Sequence, residues 1–327
     1  MILTRTPFRI SFVGGGSDME AFYSRADGAV LSTTINKYMY VSAHKFFEPD
    51  QIRLKYSRTE TVDNLRDIEH PIFKMVLEKY KVAGGLEFSS IADVPAGTGM
   101  GSSSSFTVSL LHTVRSLLNL PIDKEILARE ACEIEIDLLK EPIGKQDQYA
   151  AAYGGMHVYR FLASGKVIVE EVRTQPEILE SLESNLMLFY TGLQRSASGI
   201  LSEQKKNISD QDKFENLRSM TALVDDLKDC LESGLIDDFG AILHENWILK
   251  QQLAGSISSD LINKAYHTAL SSGALGGKLL GAGGGGFLLF YCPRHKQEKL
   301  IEALKPLRYF PFAFEKEGSK IVYLSHE

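Results

Sequence analysis

Residues Pro95-Ala-Gly-Thr-Gly-Met-Gly-Ser-Ser-Ser-Ser105 set three glycines at alternate positions and then run four serines into an apolar-periodic segment. There Phe106, Leu110, Leu111, Val114, Leu117 and Leu118 recur at i, i+4 and i+7–8, the spacing of one helix face. Gly85–Val94, just before, is short and moderately apolar, so the local reading is strand, glycine loop, helix. Glycine lets backbone approach a ligand closely and tolerates positive φ. A helix start offers unpaired N–H groups and a field that favours anions. The serine hydroxyls can cap the helix, bind phosphate or ligate a metal. The stretch therefore reads as a phosphate cradle, with an ordinary Ser-capped loop as the alternative. It is not a P-loop, because no Lys-Ser/Thr pair follows the glycines.

The rest of the chain bounds what such a cradle would serve. Its 327 residues are enough for two domains, and 44% hydrophobic with 24% charged content is ordinary for a globular protein. A net charge of −6 argues against a nucleic-acid partner while allowing local basic sites. Cys132, Cys230 and Cys292 are scattered without a CxxC pair, as expected of unpaired thiols in a reducing cytoplasm. Arg5 and Arg9 interrupt the N-terminal apolar run, so no signal peptide is expected. Leu279–Cys292, the most apolar later stretch, is too short and too glycine-rich to span a membrane.

In the first half, Arg5–Val13 alternates as a strand, with Phe8, Ile10 and Phe12 on one face and Arg5 and Arg9 on the other. It runs into Gly14-Gly-Gly-Ser-Asp18, a tight turn whose Asp18 can accept from sugar hydroxyls or cap a helix beginning at Met19–Tyr23. Ala29–Ala43 reads as one strand, or as two with a turn near Asn36-Lys37, and Gln51–Tyr56 as another strand. Asp67–Tyr80 and Asp123–Leu139 read as helices. On the second, Glu135 borders the stripe of Leu127, Ala131, Ile134 and Leu138, where a solvated edge residue is the simpler reading. Gly144–Tyr149 reads as a glycine-bounded turn in which Lys145 and Asp147 form a surface ion pair or hold an acceptor hydroxyl and balance phosphate charge.

The domain change is expected near Ser184, giving units 1–184 and 185–327. Leu186–Tyr190 reads as a strand, Thr191–Ser196 as a turn carrying Arg195, and Phe214–Leu231, Leu235–Gln252 and Ser259–Ser271 as helices. Gly281-Ala-Gly-Gly-Gly-Gly286 formally matches GxGxxG. A strand follows these glycines rather than preceding them, so a dinucleotide site is rejected. Glycines packed there suggest backbone lying against a ligand or another loop.

Three of these stretches, in this order and spacing, resemble the GHMP kinases, the superfamily of galactokinase, homoserine kinase, mevalonate kinase and phosphomevalonate kinase. Pro7-Phe-Arg-Ile10 running into Gly14–Asp18 resembles the first family motif, Pro95–Ser105 the second and Gly281–Phe287 the third. The resemblance implies an α+β, two-domain fold, with an N-terminal domain like ribosomal protein S5 domain 2 and a ferredoxin-like C-terminal domain. It implies ATP as co-substrate, held by Gly97, Gly99, Met100, Gly101, Ser102, Ser103 and Ser104, and Mg2+ held by Ser103 and Glu135. It implies Asp147 as the catalytic aspartate and Arg9 as the basic residue facing it. The acceptor is then expected against Gly15, Gly16, Ser17, Asp18 and Gly284, with Lys145 and Arg195 supplying positive charge.

Within the superfamily, Arg9-Ile-Ser-Phe-Val-Gly-Gly-Gly-Ser-Asp18, Gly144-Lys-Gln-Asp-Gln-Tyr149 and Gly277-Lys-Leu-Leu-Gly-Ala-Gly-Gly-Gly-Gly-Phe287 look most like the D-glycero-D-manno-heptose 7-phosphate kinases, with fucokinase domains as relatives. That branch implies phosphorylation of the anomeric hydroxyl of a sugar phosphate in the cytoplasm, with no nucleic-acid or membrane partner and a homodimer as a possible assembly. Two other readings stand beside it. One is a kinase of a free sugar such as fucose or galactose, and the other a non-catalytic binding protein on the same fold.

Overall fold

The computed structural model describes residues 1–194 and 197–325. The chain opens with β1 (Ile2–Val13), the single turn α1 (Glu20–Tyr23) and the long strand β2 (Gly28–Lys45). The short strands β3 (Ile52–Lys55) and β4 (Thr59–Val62) follow, then α2 (Pro71–Lys79) and β5 (Leu86–Ala92). Next come α3 (Ser102–Leu117), α4 (Lys124–Cys132), α5 (Gln146–Tyr153), β6 (Met156–Phe161) and β7 (Val167–Glu171). The later part holds α6 (Pro176–Asn185), β8 (Leu186–Tyr190), α7 (Ala197–Asn207), α8 (Gln211–Ser233), α9 (Phe239–Gln251) and α10 (Asp260–Ser271). β9 (Gly276–Leu279), β10 (Phe287–Tyr291), α11 (Gln297–Ala303), β11 (Arg308–Phe310), β12 (Phe314–Glu315) and β13 (Lys320–Leu324) complete it.

Nine strands form one sheet ordered β13-β1-β2-β5-β3-β4, with β6 and β12 also on β2 and β7 on β6; β8 to β11 form a second, antiparallel sheet in the order β11-β8-β10-β9. β2 is the spine of the first. Its early residues pair with β6 and its late residues with β5, while β1 runs along its other edge. Of the two readings of Ala29–Ala43 the single strand holds, and the place of the alternative turn at Asn36-Lys37 is a bulge: Pro7 opposes Tyr38 but Phe8 opposes Ile35, leaving two residues of β2 unmatched. β13 and β12 return from the C-terminal end to pair with β1 and β2.

Alternation on β1 holds as read, with Phe8, Ile10 and Phe12 fully buried. α3 lies across β1 and β2 and buries polar side chains as well as leucines. Thr4 of β1 meets Ser109 and Thr113 of α3 in hydroxyl contacts of 2.8 Å each, so these buried oxygens are satisfied within the layer. One core cluster fills the first sheet and its helices; a second gathers Phe189, Leu217, Trp247 and Phe290 around the second sheet. α8 contributes to both, through Leu223, Val224 and Leu227 to the first and Phe214, Leu217 and Met220 to the second.

Three sequence readings need correction. The helix expected from Asp67 begins at Pro71, a residue suited to the first helical position, after a short 3-10 turn at Leu65–Asp67. Gly144–Tyr149 is not a turn throughout, because α5 starts at Gln146. The helix capped by Asp123 stops being α-helical at Cys132 and continues as a π-helical turn, Glu133–Leu138. Among the described residues, no helix is long and apolar enough to cross a membrane.

Candidate active site

The glycine loop between β5 and α3 closes against the loop between β9 and β10, backbone to backbone. Gly99 sits at φ +82°, and a Cβ there would stand 2.6 Å from the Leu280 carbonyl oxygen; a Cβ on Gly281 would stand 2.4 Å from the Gly99 Cα. The glycines of both loops are thus required by each other. Gly101, at φ +73°, is the residue before α3, so the first N–H groups of that helix open at the loop. Gly99→Ala would force a left-handed alanine, a strain of roughly 1–2 kcal/mol, against a carbonyl that cannot retreat. It should weaken Mg-ATP binding by about tenfold or more, read by calorimetry, with a lowered melting temperature.

Arg9 and Asp147 meet beside this loop. Arg9 Nε donates to Asp147 Oδ1 and Nη2 to Oδ2, both at 2.7 Å, while Nη1 donates to the Gly99 carbonyl at 2.6 Å. This is a forked pairing, with the arginine buried and the aspartate partly open to the cleft. β1 supplies the arginine from its face opposite the phenylalanines, and the first turn of α5 supplies the aspartate.

Glu135 is 1% exposed, not a solvated edge residue. Within the π-turn the Leu139 N–H reaches back five residues to the Ile134 carbonyl, and the Glu135 side chain enters the interior. Ser103 Oγ donates to Glu135 Oε1 at 2.6 Å and Gln148 Nε2 to Oε2 at 2.7 Å. Burial pushes its carboxyl above the ordinary carboxylate value, opposed by hydrogen bonds from Ser103, Ser104 and Gln148, while Asp147 raises it further. A buried carboxylate bonded, among the described residues, only to neutral donors, one of them a hydroxyl on the phosphate-side loop, suits a divalent cation arriving with phosphate and water.

The cleft of about 840 Å³ is lined by Gly97, Gly99, Gly101 and Ser102 to Ser104 on one side and by Gly15, Gly16 and Asp18 on the other, with Arg9 and Asp147 also in its wall. Asp18 does not cap α1. Its Oδ1 accepts from the Gly16 N–H and its Oδ2 from the Gln146 N–H that opens α5, and burial pushes its carboxyl upward. Other expected contacts lie elsewhere. Ser17 Oγ is fully buried, sharing its one proton between the Gly14 and Ala29 carbonyls and accepting from the Ala29 N–H, and Met100 is core. The Gly284 N–H is bound to the Ile257 carbonyl, outside the cleft lining. Lys145 faces away, donating to the Gly165 carbonyl at 2.8 Å beneath the Tyr23 ring in a separate hollow. Arg195 lies outside the described residues.

Two lysines that the sequence reading did not single out line the cleft instead: Lys250 of α9, 4% exposed, and Lys278 of β9, 2% exposed. Ser11 and Gln204 line it as well. Lys278 stands in the quoted Gly277–Phe287 string, which is the one signal that pointed to it. Lys250 gave none, because a lysine in a helix reads as a solvated face.

Glycine-cradled helix N-terminus, carboxylate and arginine together define a phosphotransferase site. The chain belongs to the GHMP kinases, ATP-dependent phosphotransferases: residues 67–155 match "GHMP kinases N terminal domain" and 227–308 "GHMP kinases C terminal". It is 32% identical over 335 residues to the D-glycero-alpha-D-manno-heptose 7-phosphate kinase of Campylobacter jejuni, with 98% of each chain covered. It is 26% identical over 346 residues to the galactokinase of Pyrococcus furiosus, covering 93% of this chain and 92% of that one. Among solved structures, a D-glycero-D-manno-heptose 1-phosphate kinase from Bacteroides thetaiotaomicron superposes with a TM-score of 0.81 at 25% identity, over 99% of this chain and 100% of that one.

Proposed function

We propose that this protein transfers the γ-phosphoryl group of ATP to the anomeric hydroxyl of D-glycero-D-manno-heptose 7-phosphate, giving the 1,7-bisphosphate. This reading places it in the cytoplasm, in the supply of nucleotide-activated heptose for surface polysaccharide. The observation that carries it is the Arg9–Asp147 fork beside the glycine loop, in a chain similar along its whole length to a heptose 7-phosphate kinase. The heptose relatives' names agree on the sugar and on a phosphate but differ in the position named, 7 or 1.

In this reading the N–H groups around Gly97–Ser104 hold the nucleotide phosphates, and Asp147 takes the proton of the attacking hydroxyl. Arg9 orients that carboxylate through the fork and adds positive charge where the oxyanion forms. Ser103 and Glu135 are the residues that would hold Mg2+, which neutralises charge on the β- and γ-phosphates when bound.

Glu135→Gln separates metal from fold. Its carboxyl is raised by burial, so its charge opposes folding once pH exceeds the unfolded carboxylate value, and the neutral amide removes that penalty. The variant should melt at a higher temperature than wild type at neutral pH without metal. It should also need about tenfold more Mg2+ for half-maximal rate. Unaltered Mg2+ dependence would remove Glu135 from the metal site.

The galactokinase relative supports a second reading, a free-hexose kinase. An ADP-release assay comparing kcat/KM for heptose 7-phosphate, galactose and fucose decides between them. Preference for heptose 7-phosphate is expected, and preference for a free hexose would exclude the assignment while leaving kinase activity standing.

A further inference from the structure

We propose that Lys250 and Lys278 form a buried phosphate subsite on the acceptor side of the cleft, which holds the phosphate the acceptor already carries. The inference rests on the kinase reading of the cleft. The two lysines come from different elements, α9 and β9, and both residues line the cleft. Every partner they have among the described residues is a backbone carbonyl. Lys250 Nζ donates to the Gly281 and Leu279 oxygens, and Lys278 Nζ to the Phe12 oxygen at 2.6 Å. An ammonium has three donors, so Lys278 keeps two N–H groups and Lys250 one without a partner there. Buried lysine is ordinarily found paired with a carboxylate; here carbonyl oxygens satisfy hydrogen bonds and leave the charge uncompensated.

The surroundings point to a ligand rather than to packing. Ser11 Oγ, Gln146 Oε1 and Gln204 Nε2 are buried without a hydrogen-bond partner among the described residues, and all three residues line the same cleft. They gather at the bend of Gly15 and Gly16: a Cβ on Gly15 would stand 3.7 Å from Ser11 Oγ, and one on Gly16 would stand 2.7 Å from Gln204 Nε2. Neutral donors and acceptors of this kind suit the hydroxyls of a sugar, and two cations behind them suit its phosphate.

A phosphate could also come from the nucleotide, but the geometry favours the acceptor. Lys278 is tied to the end of β1, next to the Gly14–Asp18 bend; Lys250 reaches the Gly281 carbonyl, whose residue packs on Gly99, but the nucleotide phosphates already have the loop N–H groups and the Ser103–Glu135 pair. The charges around the pair are Arg9, which with burial pushes Lys250 down to about 8, and Asp18, which opposes that shift; Lys278 is pushed well below the ordinary lysine value by burial, Lys250 and Arg9. An anion seated between the two ammonium groups relieves each of these repulsions.

The test is calorimetric titration of the full chain, without sugar, using inorganic phosphate in one arm and Mg-ATP in the other. Lys250→Met and Lys278→Met should each weaken phosphate binding by about tenfold or more and leave Mg-ATP affinity within about twofold of wild type. Ser103→Ala should leave phosphate binding intact. Both methionine variants remove a buried charge that has no carboxylate in salt-bridge contact among the described residues, so their melting temperatures should equal or exceed wild type; Lys250→Gln and Lys278→Gln repeat the test if methionine fails to fold. Absence of phosphate binding in wild type, phosphate binding indifferent to both lysines, or a matching loss of Mg-ATP binding would each overturn the subsite. Phosphate binding lost in the lysine variants, in a protein that transfers nothing to heptose 7-phosphate, would overturn the acceptor assignment alone.

Discussion

Asp147→Asn should give a folded protein that binds Mg-ATP like wild type and turns over roughly 10³-fold more slowly, the range expected for removing a general base. The amide keeps the size of the carboxylate but cannot take the hydroxyl proton. Asp147 belongs to the first turn of α5 and packs against Gly101, but among the described residues its side chain is hydrogen-bonded to Arg9 and not to the glycine loop, which is fixed by the Gly99–Gly281 contact and by Arg9. The loss therefore falls in kcat and not in nucleotide affinity. Single-turnover kinetics with saturating ATP, beside a calorimetric Kd for Mg-ATP, separates the two. An unaltered kcat would reduce the Arg9–Asp147 fork to a structural ion pair.

Arg9→Met should be nearly as damaging, with a different signature. Arg9 spends three hydrogen bonds, two on Asp147 and one on the Gly99 carbonyl, so its loss unties the aspartate and the phosphate loop together. Breaking one side of a buried ion pair costs about 3–5 kcal/mol. Asp147 keeps part of its solvent exposure, which places the expected stability loss at the low end, about 3 kcal/mol. A fall in kcat of about 10²-fold or more is expected together with a raised KM for ATP. Arg9→Lys should not rescue, because one ammonium cannot reproduce the fork to both carboxylate oxygens and still reach Gly99. A thermal melt and steady-state kinetics in both substrates check this; full activity in Arg9→Lys would contradict it.

What was legible in the sequence was whatever is local along the chain. The strand–loop–helix around Pro95–Ser105 depends on neighbours in sequence, as do the alternation of β1 and the cap at Asp123, whose side chain accepts from the Ile126 N–H. The three glycine-rich strings also placed the loops, because Gly99 and Gly281 are needed where two backbones touch. Glu135 was not legible from periodicity, since the π-turn rotates it off the position a 3.6-residue repeat assigns; only the resemblance pointed to it.

Lys145 was misplaced for a simple geometric reason. It stands two residues before Asp147, at the residue preceding α5, and positions two apart on a helix do not face the same way. The aspartate therefore meets Arg9 while the lysine meets Tyr23 and Gly165. Lys250 and Lys278 were missed because burial is a tertiary property, and a charged residue in a helix or strand is assigned to solvent by default. The return of β12 and β13 to the first sheet could not be read either, because strand pairing across the whole chain leaves no local mark.

The most direct test of the central claim is phosphorus NMR of the product formed from D-glycero-D-manno-heptose 7-phosphate and Mg-ATP. The account predicts one ADP per sugar and one new phosphorus resonance, coupled to the anomeric proton, with the 7-phosphate signal retained. No new resonance, or one coupled to a proton at any other carbon, would contradict it.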